Sequence, residues 1–243
     1  MPRLSLSVFL ALGLLAAACG NGAPSGEAEE AKRPLGLFTS LPLVWGESED
    51  IGGLLAADNT PDPARTALEE DYVLVPLDLL SAEALAPLRE VLMAQPRVLS
   101  PAENVALDDW VRAGGRVVIF ADPLLTRHSR YSIGDKRRAQ DVVLIAPILA
   151  RWGLALAEES PLSGEKAAVL GETVAVREAG QLSLVPHEAP ADCVIRDGGL
   201  VARCTIGSGR ATVVADAALF DDLDEDAARA ESLRRVIKAG LAD

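Results

Sequence analysis

Histidine and cysteine are scarce in this chain, two and three in 243 residues. There is no Cys-x-x-Cys pair, and His187-Glu188 lacks the second histidine of a zinc helix, so no metal site is expected. Aromatic residues make up 4% of the chain, too few for a sugar-stacking platform. No Gly-x-Ser-x-Gly elbow and no phosphate-binding loop occur. Ser163 and Lys166 fit Ser-x-x-Lys, but its partner motifs are missing. Positive charge is also in deficit: the net charge of −13 argues against nucleic acid and against a surface drawn to anionic lipid. Nothing in the sequence calls for a cofactor.

What is present begins with an address. Arg3 precedes an apolar run, "LSLSVFLALGLLAAA" over residues 4–18, too short for a comfortable membrane span. Residues 1–18 read as a signal peptide, and "LLAAAC" resembles the bacterial lipobox, which implies that Cys19 is acylated. An ordinary secretory peptide cut nearby after Ala-x-Ala is the plainer alternative. Residues 19–34 are Gly, Pro, Ser, Ala and Glu with almost no large apolar side chains, the composition of a flexible tether. The expectation is an exported lipoprotein facing the periplasm or cell exterior, attached to the membrane through its acyl chains alone. Residues 35–243 remain for one α/β domain.

In that domain, "LGLFTS" (35–40), "YVLVPL" (72–77) and "RVVIFA" (116–121) read as strands buried on both faces. "LREVLMA" (88–94) is either another strand or the continuation of a helix begun near Ser81. Between them, "LSPAENVALDDWVRAGG" places Ser100 at N-cap, Pro101 at N1 and Glu103 at N3, a capping box, and ends at Gly114-Gly115. A helix over residues 141–152 is expected to be buried and kinked at Pro147. Strands separated by helices predict a mostly parallel, doubly wound sheet. Residues 154–206 change to short alternating segments, predicting antiparallel strands that extend or cap the sheet. The last segment, "EDAARAESLRRVIKAGL", is an amphipathic helix with Leu233, Val236 and Ile237 on one face.

Cys193 and Cys204 bracket Gly198-Gly199. A two-residue hairpin turn there sets the two cysteines opposite each other, and in an oxidising compartment a disulfide follows, with free thiols as the alternative. In that register they fall at a hydrogen-bonded pair, where the Cα atoms stand wide apart.

One echo runs through the chain: "GRVVIFADPLL" (115–125) and "GRATVVADAAL" (209–219) superpose without gaps. Both deliver an aspartate, Asp122 and Asp216, to the carboxyl end of a strand, the edge where open α/β sheets bind ligands. These aspartates either hold a ligand or accept backbone N–H bonds in the turn beyond the strand. A basic loop follows directly, "RHSRYSIGDKRR" over residues 127–138. Its Arg127, His128, Arg130, Lys136, Arg137 and Arg138 should overhang the same edge, either to meet an acidic partner or anionic ligand or as a solvated loop paired with nearby acids.

The capped helix, "GGR", strand and Asp-Pro of residues 99–123, with "GSGRATVVADAALF" later, resemble the auxiliary subunits of gliding-motility-type ABC transporters and related domains of class I glutamine-amidotransferase-like fold. That resemblance implies a transporter component as partner. It does not carry catalysis with it, because no cysteine follows the strands at 72–77 or 88–94. The combined expectation is a non-catalytic, lipid-anchored binding protein. The alternatives are a divergent hydrolase built on Asp122, His128 and Asp216, or a solute-binding lipoprotein.

Overall fold

The computed structural model describes residues 31–47, 61–158, 164, 166–221, 223 and 227–242; the expected signal peptide and lipidated Cys19 lie outside the described residues. The described residues from Lys32 onward form one compact unit. Its strands are β1 (Arg33–Thr39), β2 (Tyr72–Pro76), β3 (Glu90–Ala94), β4 (Arg116–Phe120), β5 (Leu154–Ala157), β6 (Lys166–Val169), β7 (Glu172–Ala175), β8 (Gln181–Leu184), β9 (Asp192–Arg196), β10 (Val201–Ile206) and β11 (Gly209–Val214). Its helices are α1 (Pro63–Glu69), α2 (Ala82–Leu85), α3 (Pro101–Arg112), α4 (Ala146–Arg151) and α5 (Ala227–Leu241).

The main sheet has seven strands in the order β2-β1-β3-β4-β11-β10-β9. The first five are parallel, and β10 and β9 add on antiparallel. This is the expected α/β architecture, a mostly parallel doubly wound sheet with antiparallel strands added late. The 2-1-3-4 opening is the flavodoxin-like order. Segment 88–94 resolves as a strand. Helix α2 stops at Leu85, and all five residues of β3 are buried.

The antiparallel region does two jobs. Strands β9 and β10 extend the sheet, whereas β5 with β8 and β6 with β7 form separate two-stranded pieces. Leu154 and Leu182 of the first pair pack into the core on one sheet face, together with Val117, Ile119 and Val213. Val169 and Val174 of the second pack on the opposite face with Val118, Phe120 and the Leu233, Val236 and Ile237 stripe of α5.

Two local expectations need correction. The helix over 141–152 is only Ala146–Arg151, and Pro147 stands in its first turn, where the missing N–H costs nothing and no kink results. The hairpin between β9 and β10 turns through four residues, with positive φ at Asp197, Gly198 and Gly199. Cys193 and Cys204 still pair and are joined by a disulfide, but their Cα atoms are 4.0 Å apart. The longer turn shifts the hydrogen-bond phase by one residue, and the cysteines fall at a close, non-hydrogen-bonded pair.

Capping proceeds as the sequence dictates. Ser100 Oγ accepts the Glu103 N–H at 3.3 Å and Glu103 Oε2 accepts the Ser100 N–H at 2.8 Å. On the same helix, fully buried Asp108 accepts from Arg112 at 2.9 Å, from Arg151 and from the Trp152 indole at 2.9 Å, fastening α3 to α4. The glycine of each echoed Gly-Arg is a point of close approach. A Cβ on Gly209 would lie 1.9 Å from the Val111 carbonyl oxygen, and one on Gly115 2.4 Å from the Trp110 ring.

Candidate functional site

The echo is also a register. Strands β4 and β11 are neighbours, and Arg116 to Phe120 pair with Arg210 to Val214 residue for residue. Two steps further on, Asp122 and Asp216 emerge side by side at the carboxyl edge. They are 1% and 3% exposed.

Each aspartate spends both oxygens on backbone. Asp122 Oδ1 accepts the N–H of Leu124 at 2.9 Å and Oδ2 that of Ala217 at 3.2 Å. Asp216 Oδ1 accepts from Ala218 at 2.7 Å and Oδ2 from Arg177 at 2.8 Å. One bond of each pair closes the turn after its own strand, and the other ties in a different segment. Burial pushes the Asp122 carboxyl up to about 6 against those hydrogen bonds, with Asp221 and Glu178 adding repulsion. Burial likewise raises Asp216 to about 7, with Asp122 and Asp221 contributing.

Nearer the middle of the sheet the edge is filled by Gln95, the first residue after β3 and fully buried. Its φ is +44°, the left-handed region that a nucleophile elbow requires. A strand-to-helix nucleophile would stand here, but the side chain is an amide engaged with backbone. Gln95 Nε2 donates to the carbonyls of Asp122 at 3.0 Å and Gln140 at 2.8 Å, and Oε1 accepts the Asp122 N–H at 2.9 Å. Ser40, just past β1, accepts the Gln140 N–H at 3.0 Å. Between them these bonds draw the base of the loop after β4 down across the ends of β1, β3 and β4.

The loop cations divide into two groups. Arg127 reaches Asp62 at 2.7 Å, the Phe220 carbonyl at 3.0 Å and Asp221 at 3.5 Å. Arg138 pairs with Asp141 at 2.7 Å and donates to the Tyr131 carbonyl at 3.1 Å. Arg137 pairs with Asp135 and lies over the Tyr131 ring. These three hold the loop in shape. His128, Arg130 and Lys136 are exposed, and their side chains have no ion pair among the described residues. Glu47 meets the loop through the Ser129 hydroxyl at 2.6 Å and the Arg130 N–H at 2.7 Å.

The structure thus brings Asp122, Asp216 and Arg127 to one edge and leaves His128 on the loop surface, hydrogen-bonded to neither aspartate. Three contributors were not foreseen: Gln95, Asp221 and Arg177, which pairs with Asp221 at 3.5 Å. For Gln95 the signal was available, a polar residue between the apolar "EVLMA" and Pro96. Among the described residues no group of three or more His, Cys, Asp or Glu is placed to hold a metal ion. No described helix is long and apolar enough to cross a membrane.

The sheet order and its edge define a flavodoxin-like α/β domain. Comparison with solved structures gives an exo-β-1,4-mannosidase from Opitutaceae bacterium strain TAV5, at 14% identity and TM-score 0.54, over 88% of this chain and 37% of that one. A β-galactosidase from Rahnella sp. R3 aligns at 16% identity and TM-score 0.42, over 83% of this chain and 31% of that one. A ThuA-like protein from Bacteroides uniformis aligns at 12% identity and TM-score 0.39, over 90% and 94%. This chain spans about a third of the length of the two glycoside hydrolases. At 14% identity the likeness to the mannosidase is one of fold. No family model and no curated protein matches the chain.

Proposed function

We propose that this protein is a binding component rather than an enzyme. In this reading it is carried outside the cytoplasm on a lipid-modified Cys19 and docks onto a membrane-borne partner. An ABC transport system is the partner class that its resemblance implies. The observation that supports the reading is the closure of the carboxyl edge: Gln95 stands at the elbow position, and all four oxygens of Asp122 and Asp216 accept backbone N–H bonds. What this edge offers outward is the loop crown. His128, Arg130 and Lys136 lie there with Ile133, 88% exposed, and with Trp45, 74% exposed, two residues before Glu47.

The test is a pull-down from native membranes with wild type and with Arg130→Ser/Lys136→Ser, which spares the three arginines that shape the loop. Transporter subunits recovered by wild type and depleted by the variant are the expected result. Equal recovery by both, or none by either, defeats the reading.

One feature favours a hydrolase instead: the raised carboxyls of Asp122 and Asp216 stand together at the edge where this architecture carries chemistry. Turnover of chromogenic ester or glycoside substrates that disappears in Asp216→Asn would establish it.

A further inference from the structure

The arginines of the echoed Gly-Arg pairs are unexplained by the edge just described, because they lie at the other end of their strands. Arg116 opens β4 and Arg210 is the second residue of β11, and the two are register partners pointing to the same sheet face. On that face the next strand, β3, opens with Glu90, the register partner of Arg116.

Glu90 is 3% exposed. Its Oε1 receives Arg33 at 2.7 Å and stands 4.0 Å from Arg116, while Oε2 has no hydrogen-bond partner among the described residues. Arg89, one residue earlier, is exposed and forms no ion pair among the described residues; its carbonyl takes the Arg116 N–H at 3.0 Å. Arg33, Arg89, Arg116 and Glu90 line one cavity of about 380 Å³, walled by Pro34, Pro87 and Gly114.

The donor balance in this cavity is one-sided. One carboxylate offers about four acceptor positions, whereas the guanidiniums of Arg33 and Arg89 alone carry about ten N–H donors. Glu90 therefore orients Arg33 without saturating it, and the Arg89 side chain makes no ion pair among the described residues. Arg33 keeps donors beyond the one on Glu90, and its side chain is 59% exposed. The cavity gathers three cations and one acid in a protein of net charge −13, so it carries a local excess of positive charge. Guanidinium forks match planar carboxylates and phosphate oxygens.

We infer that this cavity, at the amino edge of the parallel strands, is an oxyanion-binding site for a carboxylate or phosphate group, with Arg33 and Arg89 as its principal ligands and Glu90 as the residue that positions Arg33. It lies at the opposite end of the strands from the loop crown and is independent of the docking role assigned there. The oxyanion belongs either to a small free anion or to the acidic side chains of another protein.

Calorimetric titration of the purified protein at low ionic strength distinguishes these sources, with inorganic phosphate, citrate and an end-capped oligoglutamate peptide as probes. Saturable binding of at least one probe at a single site is expected, weakening as salt is added. Preference for phosphate or citrate assigns a free anion, and preference for the peptide assigns a protein. Arg33→Ser/Arg89→Ser should lose about tenfold or more in affinity, as expected for removing charged hydrogen bonds. Arg130→Ser/Lys136→Ser should bind as wild type. Should the Arg33 variant melt early, Arg89→Ser alone serves, since that side chain makes no ion pair among the described residues. No saturable heat with any probe, or equal affinity in wild type and the arginine variants, overturns the inference.

Discussion

Asp122 Oδ2 accepts the N–H of Ala217, the residue directly after Asp216, at 3.2 Å. One echoed aspartate thus holds the turn that belongs to the other. Their charge is costly in this setting, and the cost has a sign. A carboxyl whose folded value lies above its unfolded one favours folding at low pH and loses that contribution as pH rises through the folded value. For Asp122, raised from 3.8 to about 6, the loss amounts to roughly 3 kcal/mol.

Thermal midpoints are therefore expected to fall as pH rises from about 4 to about 7, with Asp216 extending the decline. Below this window the opposite holds. Asp71, lowered to about 2 chiefly by Arg234, and Glu103, lowered to about 2 chiefly by Arg97, contribute stability that is lost as pH falls toward 2. Melting curves at one-unit pH intervals should peak near 4. In Asp122→Asn the decline above 4 should be shallower. A wild-type profile rising from 4 to 7 would refute the assignment.

Gln95 combines a left-handed backbone with three side-chain hydrogen bonds. Gln95→Ala keeps the strained φ and orphans the Asp122 N–H, at a cost of about 2–4 kcal/mol. Gln95→Gly loses the same bonds but adopts φ > 0 freely, so it should be the more stable of the two by about 1 kcal/mol. Urea unfolding of both variants measures the difference, and an alanine variant as stable as the glycine one would mean the backbone there is unstrained.

Asp108 is fully buried in the α3–α4 interface and is the shared acceptor for Arg112, Arg151 and the Trp152 indole. Asp108→Ala is expected to lose about 3–5 kcal/mol. The Trp152 indole loses its acceptor in the same variant, so a change in tryptophan emission should accompany the lower midpoint.

The Cys193–Cys204 bridge closes a loop of 11 residues in sequence separation, which by chain entropy is worth roughly 3 kcal/mol. Cys193→Ser/Cys204→Ser should melt roughly 6–12 °C lower. Reductant should lower the wild type to the same midpoint and leave the variant where it is.

Much of this fold was legible because its signals are local. The capping box at Ser100, the strands at 72 and 116 and the stripe on α5 each follow from residues within one turn or one pleat of each other. Pro147 misled because a proline inside an apolar run is read as a kink until the helix start is known, and no capping residue precedes Ala146 to mark it. The turn at 197–200 misled because Gly-Gly suits a two-residue hairpin, whereas Asp197 also takes positive φ here. At the candidate site, both aspartates and the loop were visible in the sequence. The fate of each loop arginine was not. Whether Arg127 faces solvent depends on Asp62 and Asp221, 65 and 94 residues away in the chain.

The position of β11 bears on how the protein reaches this state. It is the last strand in sequence, yet it stands between β4 and β10. Until residues 209–214 are available, β4 is an edge strand made of "RVVIF", with one whole side of its backbone unpaired and four of its five residues destined for the core. Such an edge is a template for the wrong partner. Closing it requires a contact across some ninety residues, which makes completion of the sheet late and slow. A chain released after Ile206 would keep that edge open permanently, and its fate would be decided by chaperones rather than by its own core.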